Sequence, residues 1–230
     1  MHILLTDALT CPRCGPDFGL VVLAEGIEER RVRGGHLGCP NCRSRFPIRG
    51  RVADLRLDAS ASAEPTGASP SVGGGEGDAE AAVRLAALMG LAGASGMALI
   101  AGPGARHAAA VSALVPELEV VAVSESAESA ESAESAAPEP GVSRVLASGA
   151  RLPFRGGLRG AALTGGADDA RLREGLRVLA PGARLVVDPA PADAAERLRG
   201  LGAEVLLDED GVVVARVAGR PVELRYNAVR

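Results

Sequence analysis

The stretch Met97-Ala-Leu-Ile-Ala-Gly-Pro-Gly104 (MALIAGPG) decides the fold. A short apolar run without helical spacing reads as a buried strand, and the Gly-Pro-Gly after it must turn the chain. Before it, Ala79–Leu91 is an Ala/Leu helix; after it, Arg106–Val115 is helical and Glu119–Val123 (EVVAV) is a second strand. The alternation continues with strands at Arg144–Ala147, Gly160–Thr164 and Arg184–Asp188 and helices at Asp168–Leu179 and Ala192–Leu201. The chain then pairs Glu204–Leu207 with Val212–Val217 about the turn Asp208–Gly211. Strands alternating with helices require a mostly parallel open sheet, and a closing pair joined by so short a turn makes an antiparallel C-terminal edge. The expected class is therefore α/β.

Further outward the composition changes. Residues 58–78 (DASASAEPTGASPSVGGGEGD) are Ala, Ser, Gly, Pro and acid with one Val, which reads as a flexible linker between a module at 1–57 and a domain at 79–230. Residues 124–140 repeat Ser-Ala-Glu, and a three-residue repeat matches neither helix nor strand, so this is a low-complexity insertion in the second domain. The front module holds nine Arg against six Asp/Glu, whereas the whole chain has a net charge of −4, so a small basic part precedes a large acidic one. All 25 basic residues are Arg, which excludes a catalytic lysine or a Walker-type phosphate loop. Four aromatic rings in 230 residues exclude a surface that stacks bases on several aromatic side chains. The opening MHILLTDALT has no basic region followed by a long apolar one, and no long apolar run occurs elsewhere, so the expectation is a cytoplasmic protein without membrane contact.

Cys11-Pro-Arg-Cys14 and Cys39-Pro-Asn-Cys42 are two Cys-x-x-Cys knuckles. Each pair can fill two corners of a tetrahedron, and together they close a structural Zn2+ site with no open position; a redox or disulfide arrangement and unliganded core thiols are the alternatives. The residues between fit a hairpin with strands at Gly19–Ala24 and Arg31–Leu37. His36, close to Cys39, is a further candidate ligand, with surface placement as its ordinary reading.

The residues around the knuckles carry a resemblance. Leu4-Leu5, the two knuckles, Leu37, Phe46-Pro47-Ile48-Arg49 and Val52 to Leu55 resemble the zinc ribbon of the methyltransferase-activator family, whose members serve tRNA, rRNA and release-factor methyltransferases. Arg51-Val52-Ala53 replaces the family's Gly-Ile-Pro. The resemblance implies a protein-interaction module whose partner is a methyltransferase, in trans or as its own C-terminal domain.

The C-terminal part is similar to class I S-adenosylmethionine-dependent methyltransferases, best at Arg151-Leu152-Pro153-Phe154 and at Arg177-Val178-Leu179-Ala180-Pro181-Gly182-Ala183-Arg184-Leu185. This implies a Rossmann-like sheet. Cofactor binding in such a sheet needs a close-approach glycine turn and carboxylates at the strand ends. Gly102 and Gly104 keep two glycines and Glu125 is placed to hold the ribose, so these three are the candidate cofactor-binding residues. Arg106 stands at the third glycine, and Ile100, Ser148 and Arg159 stand where the family has acids. Asp168 and Asp169 read as a helix start, Asp188 as a candidate substrate contact and His107 as a helix-surface residue. No catalytic residue is assigned.

Three functions compete: a non-catalytic or weakly catalytic interaction protein (a pseudoenzyme related to methyltransferase activation), an active S-adenosylmethionine-dependent methyltransferase, and an RNA-binding ribbon. The last is prompted by Arg43, Arg45, Arg49 and Arg51 after the second knuckle.

Overall fold

The computed structural model describes residues 1–57, 76–125 and 139–218. Most of the linker, 58–75, and the core of the repeat, 126–138, lie outside them.

The N-terminal part begins with a helical turn, α1 (Leu5–Ala8), and a small two-stranded sheet of β1 (Thr10–Cys11) and β2 (Gly15–Gly19). A hairpin of β3 (Val21–Glu28) and β4 (Arg31–Gly38) follows, then β5 (Arg45–Arg49) and β6 (Val52–Asp54). The hairpin runs four residues past the expected Ala24 because its turn is Glu29-Arg30, both at positive φ (48° and 63°). Such a two-residue turn favours glycine or asparagine, and neither residue here signals it. On β5 the strand period buries Phe46 and Ile48 and turns Arg45 and Arg49 outward.

The C-terminal part contains α2 (Glu76–Met89), β7 (Gly96–Ala101), a 3-10 turn (Pro103–His107), α3 (Ala108–Leu114), β8 (Leu118–Ser124) and β9 (Val142–Leu146). It continues with β10 (Leu158–Thr164), α4 (Asp169–Arg177), β11 (Leu179–Asp188), α5 (Ala194–Gly200), β12 (Ala203–Glu209) and β13 (Val212–Val217). Helix α2 starts at Glu76, inside the stretch expected to be linker. Strand β11 starts at Leu179, in a segment expected to be helical up to that residue.

The sheet order is β12-β13-β11-β10-β7-β8-β9-β6-β5-β4-β3, eleven strands in one hydrogen-bonded surface. From β9 to β11 the pairing is parallel, and β13 inserts antiparallel between β11 and β12. This is a Rossmann-like, mostly parallel α/β sheet, with β7 and β10 meeting where the strand order reverses. Alternation divides the central strands: Ala98, Ile100, Val120 and Ala122 face α2 and α3, while Leu99, Val121, Val145 and Leu163 join a core shared with Leu5, Leu37, Phe46 and Ile48 of the front module. Among the described residues, no helix is long and apolar enough to cross a membrane.

The front module is joined to the second part at three places. Strand β6 pairs parallel with β9, and the Leu55 amide extends the pairing to the Leu146 carbonyl at 2.8 Å. On the module's other side, the Thr10 amide donates to Pro153 (2.9 Å) and the Arg155 amide to Ala8 (2.8 Å), which seals Phe154 in the core. Between them, Arg31 makes a bidentate pair with Glu119 (3.0 and 3.0 Å) and donates to the Val142 carbonyl at 2.7 Å. Ser143 donates to Glu119 (2.6 Å) and accepts from the His2 amide (2.8 Å), so three hydrogen bonds reach the carboxylate.

Breaking one partner of a buried pair leaves the other charge without compensation, whereas replacing both with apolar groups costs far less. Glu119→Leu is expected to lower unfolding stability by about 3–5 kcal/mol. The double substitution Arg31→Met/Glu119→Leu recovers most of that loss, as read by urea denaturation.

Candidate metal centre and strand-end crevice

The first knuckle turns at Cys14-Gly15, with Gly15 at φ 99°, and the second at Cys42-Arg43, with Arg43 at φ 60°. The two turns face each other, and all four thiol sulfurs lie within 4.8 Å of one another. Cys11 Sγ is 3.7 Å from Cys42 Sγ, and Cys39 Sγ is 3.8 Å from Cys14 Sγ. Four thiolates around Zn2+ at about 2.3 Å stand about 3.8 Å apart along each tetrahedron edge, whereas a disulfide needs about 2.0 Å. The donor set therefore fits a closed metal site, and the thiols are free of disulfides.

Neighbouring groups prepare the sulfurs unequally. Burial pushes the Cys11 thiol up to about 12, against the Cys14 and Arg13 amides that donate to it. Hydrogen bonding with Ser44, side chain first and amide second, draws the Cys42 thiol down to about 6. Asn41 Nδ2 donates to Cys14 Sγ at 3.4 Å. Such partners orient metal ligands. His36 stands outside the cluster, half-buried beside Glu25 at 3.8 Å.

At the other candidate site, Gly102 (φ 91°) ends β7, and a β-carbon on it would collide with the Thr164 carbonyl oxygen at the end of β10. The Gly104 amide donates to Thr164 Oγ1 at 2.7 Å, and that hydroxyl donates to the Ala101 carbonyl at 2.7 Å. Both glycines are thus required by packing against Thr164, and the Gly104 donor is already engaged.

Glu125 follows β8 and is exposed, with Arg171 at 3.6 Å. Arg171 extends from α4, the helix after β10, and its Nη1 also donates to the Gly149 carbonyl in the loop after β9. Strand β7 lies between β10 and β8, so the side chain, only 12% exposed, reaches across the strand ends at the point of order reversal. Ser148 is exposed there, and Arg159 sits at the opposite end, at the start of β10.

His107, expected on the surface, is buried. Burial first and Arg106 second hold its imidazole below its ordinary value, against Asp78 at 3.5 Å. Asp168 caps α4 by accepting from the Arg171 amide at 2.8 Å, and Asp169 lies in its first turn, as expected of a helix start. Asp188 ends β11 with Arg84 at 3.8 Å. Of the four arginines after the second knuckle, Arg43, Arg45 and Arg49 are exposed, but Arg51 turns back to Glu28 at 3.3 Å. No local signal along the sequence marks Thr164 or Arg171, since each acts through a neighbour distant along the chain.

No family model matches the sequence, and no curated protein matches it. Solved structures do match in fold. The antibiotic-resistance methyltransferase Kmr is 18% identical over 60% of this chain and 93% of its own, with a TM-score of 0.46. A structure of the complex between the Haloferax volcanii Trm112 methyltransferase activator and a methyltransferase matches at 16% identity, over 63% of this chain and 95% of that one, with a TM-score of 0.44. Human N-acetylserotonin methyltransferase in complex with SAM matches at 13% identity, over 60% and 51%, with a TM-score of 0.45.

Two outcomes follow from this geometry. Chelation is expected to abolish the structure of residues 1–57, and lowering the pH releases the metal as the thiolates protonate; circular dichroism with metal analysis reads both. Gly102→Ala is expected to cost about 1–3 kcal/mol in urea denaturation, from strain against Thr164 and with no ligand present.

Proposed function

We propose that this chain is a methyltransferase-fold protein that has left methyl transfer behind and works by binding partners. In this reading the four cysteines hold a structural Zn2+ ion. They fold a ribbon of the activator type, whose methyltransferase-like partner is the domain in the same chain. The metal has no open position for a substrate, so its contribution is to folding.

The observation that carries the reading is Arg171. A cofactor with a sulfonium and an ammonium calls for carboxylates at the strand ends, and here a guanidinium reaches over them to Glu125 and Gly149. The engaged Gly104 amide, with Arg106 in place of the third glycine and Ile100 and Ser148 in place of acids, supports it further.

The alternative, an active methyltransferase using S-adenosylmethionine, draws support from Glu125 itself. Its carboxylate stands at the end of β8, 61% exposed and only 3.6 Å from its arginine partner, a contact that a ribose could replace.

Titration calorimetry of the zinc-loaded full chain with S-adenosylmethionine and S-adenosylhomocysteine separates the two. No heat up to millimolar ligand is the expected result, and micromolar binding sinks the non-catalytic reading. Binding that emerges only in Arg171→Ala makes the arginine a plug over an otherwise competent site.

A further inference from the structure

Where the ribbon meets the second domain, the segment 151–155 carries two arginines that lie against the glycines of β2. The Arg151 guanidinium stands 3.3 Å from where a β-carbon on Gly15 would be, and the Arg155 guanidinium fills the space such a carbon would need on Gly19. Both arginines are exposed, and among the described residues neither has a carboxylate at ion-pair distance.

Their backbone is pinned on both flanks. The Leu152 amide donates to Glu174 (3.0 Å), and Arg177 donates to the carbonyls of Leu152 (2.9 Å) and Phe154 (2.8 Å). The Arg155 amide donates to Ala8. Glu174, the acid nearest in influence to Arg151, is claimed by Arg177 at 2.7 Å through both oxygens. Asp17 lies between the two glycines on β2 and is exposed, outside pairing distance of either arginine.

The line of charge continues over the metal centre. Arg13 sits inside the first knuckle and Arg43 directly after the second, and the Cys14 and Cys42 sulfurs beside them lie within 4.8 Å. Both arginines are exposed and, among the described residues, without an acidic partner. Gly15 and Gly19 are four residues apart on an extended strand, a span of about 13 Å. Two guanidinium groups so far apart cannot grip one phosphate, but they can follow a chain of them.

We propose that Arg13, Arg43, Arg151 and Arg155 form a track across the ribbon–domain seam for the phosphodiester backbone of a single nucleic acid strand. Guanidinium groups match phosphate oxygens bidentately, and holding them on glycine positions lowers the entropy lost on binding. Sequence discrimination is weak, because backbone contacts carry no base information. The track depends on the docked ribbon and not on the state of the crevice, so it stands or falls apart from the function proposed above.

Fluorescence anisotropy of the zinc-loaded full chain with labelled 12-nucleotide RNA and DNA strands of mixed sequence tests it. Four phosphate contacts give a slope of log affinity against log salt of about −2.8, and Arg151→Gln/Arg155→Gln brings it to about −1.4. Arg13→Gln, which touches no backbone partner of the seam, lowers the slope magnitude by about 0.7 and guards against a folding artefact. Arg159→Gln, at the far end of β10, leaves binding unchanged. The proposal is overturned if neither strand binds at low salt, if the arginine substitutions leave the slope unaltered, or if polyglutamate competes as well as RNA. The last outcome would assign the track to an acidic protein. Comparable RNA and DNA binding supports the backbone track as stated, and a preference for RNA adds a contact to the 2′-hydroxyl.

Discussion

The parallel pairing of β6 with β9, locked by the Arg31–Glu119 pair beside it, is the constraint on which the rest depends. A parallel sheet presents a row of unpaired amides and carbonyls at its edge, and β9 would be such an edge without the ribbon. The ribbon takes those bonds and passes the edge outward to β3. There Val21, Leu23 and Ile27 are about half exposed, interspersed with Glu25 and Glu28, charges that discourage edge-to-edge association. The cost of burying Arg31 and Glu119 is offset because each finds several partners; a bare ion pair in that position would not be.

The seam also bears on what a metal held by the four thiols would contribute in a chain of this size. Four thiols would be a modest contribution to a large domain, but a module of under sixty residues buries little apolar surface by itself. Its core leucines and Phe46 join the layer formed by Leu99, Val121 and Val145, so the fold of the ribbon and the packing of that sheet face support each other. Phe154, held between the ribbon's first strand and the Arg177–Glu174 pair, makes the same connection from the opposite side. At the strand ends, side chains serve the structure itself: Thr164 holds the glycine turn, and Arg171 ties the loops after β8 and β9 to α4.

Much of this was legible along the chain. The Cys-x-x-Cys spacing predicts the sulfur cluster because two turns each place a pair of thiols side by side, a local property. Short apolar runs marked β7, β8 and β13, and Asp168 announced α4 by the ordinary preference of a carboxylate for free helix amides. The turns at Glu29-Arg30 and Gly50-Arg51 were not legible in full, because positive φ at charged residues is imposed by the strands they join. The start of α2 at Glu76 was hidden by glycine-rich composition, which lowers helix propensity without forbidding a helix that packs on a sheet.

By itself, then, the sequence determined the α/β class, the four-thiol centre and the absence of acids at Ile100, Ser148 and Arg159, since each depends on residue type and near-neighbour spacing. Tertiary structure alone decided that β6 completes the sheet, that His107 is interior, that Gly102 and Gly104 answer to Thr164, and that Arg151 and Arg155 come to lie beside the metal knuckles. Those outcomes join residues far apart along the chain, as Ala8 and Arg155 are. No local propensity encodes such a meeting, because it is selected by burial of a common core and by the obligation of buried polar groups to find partners.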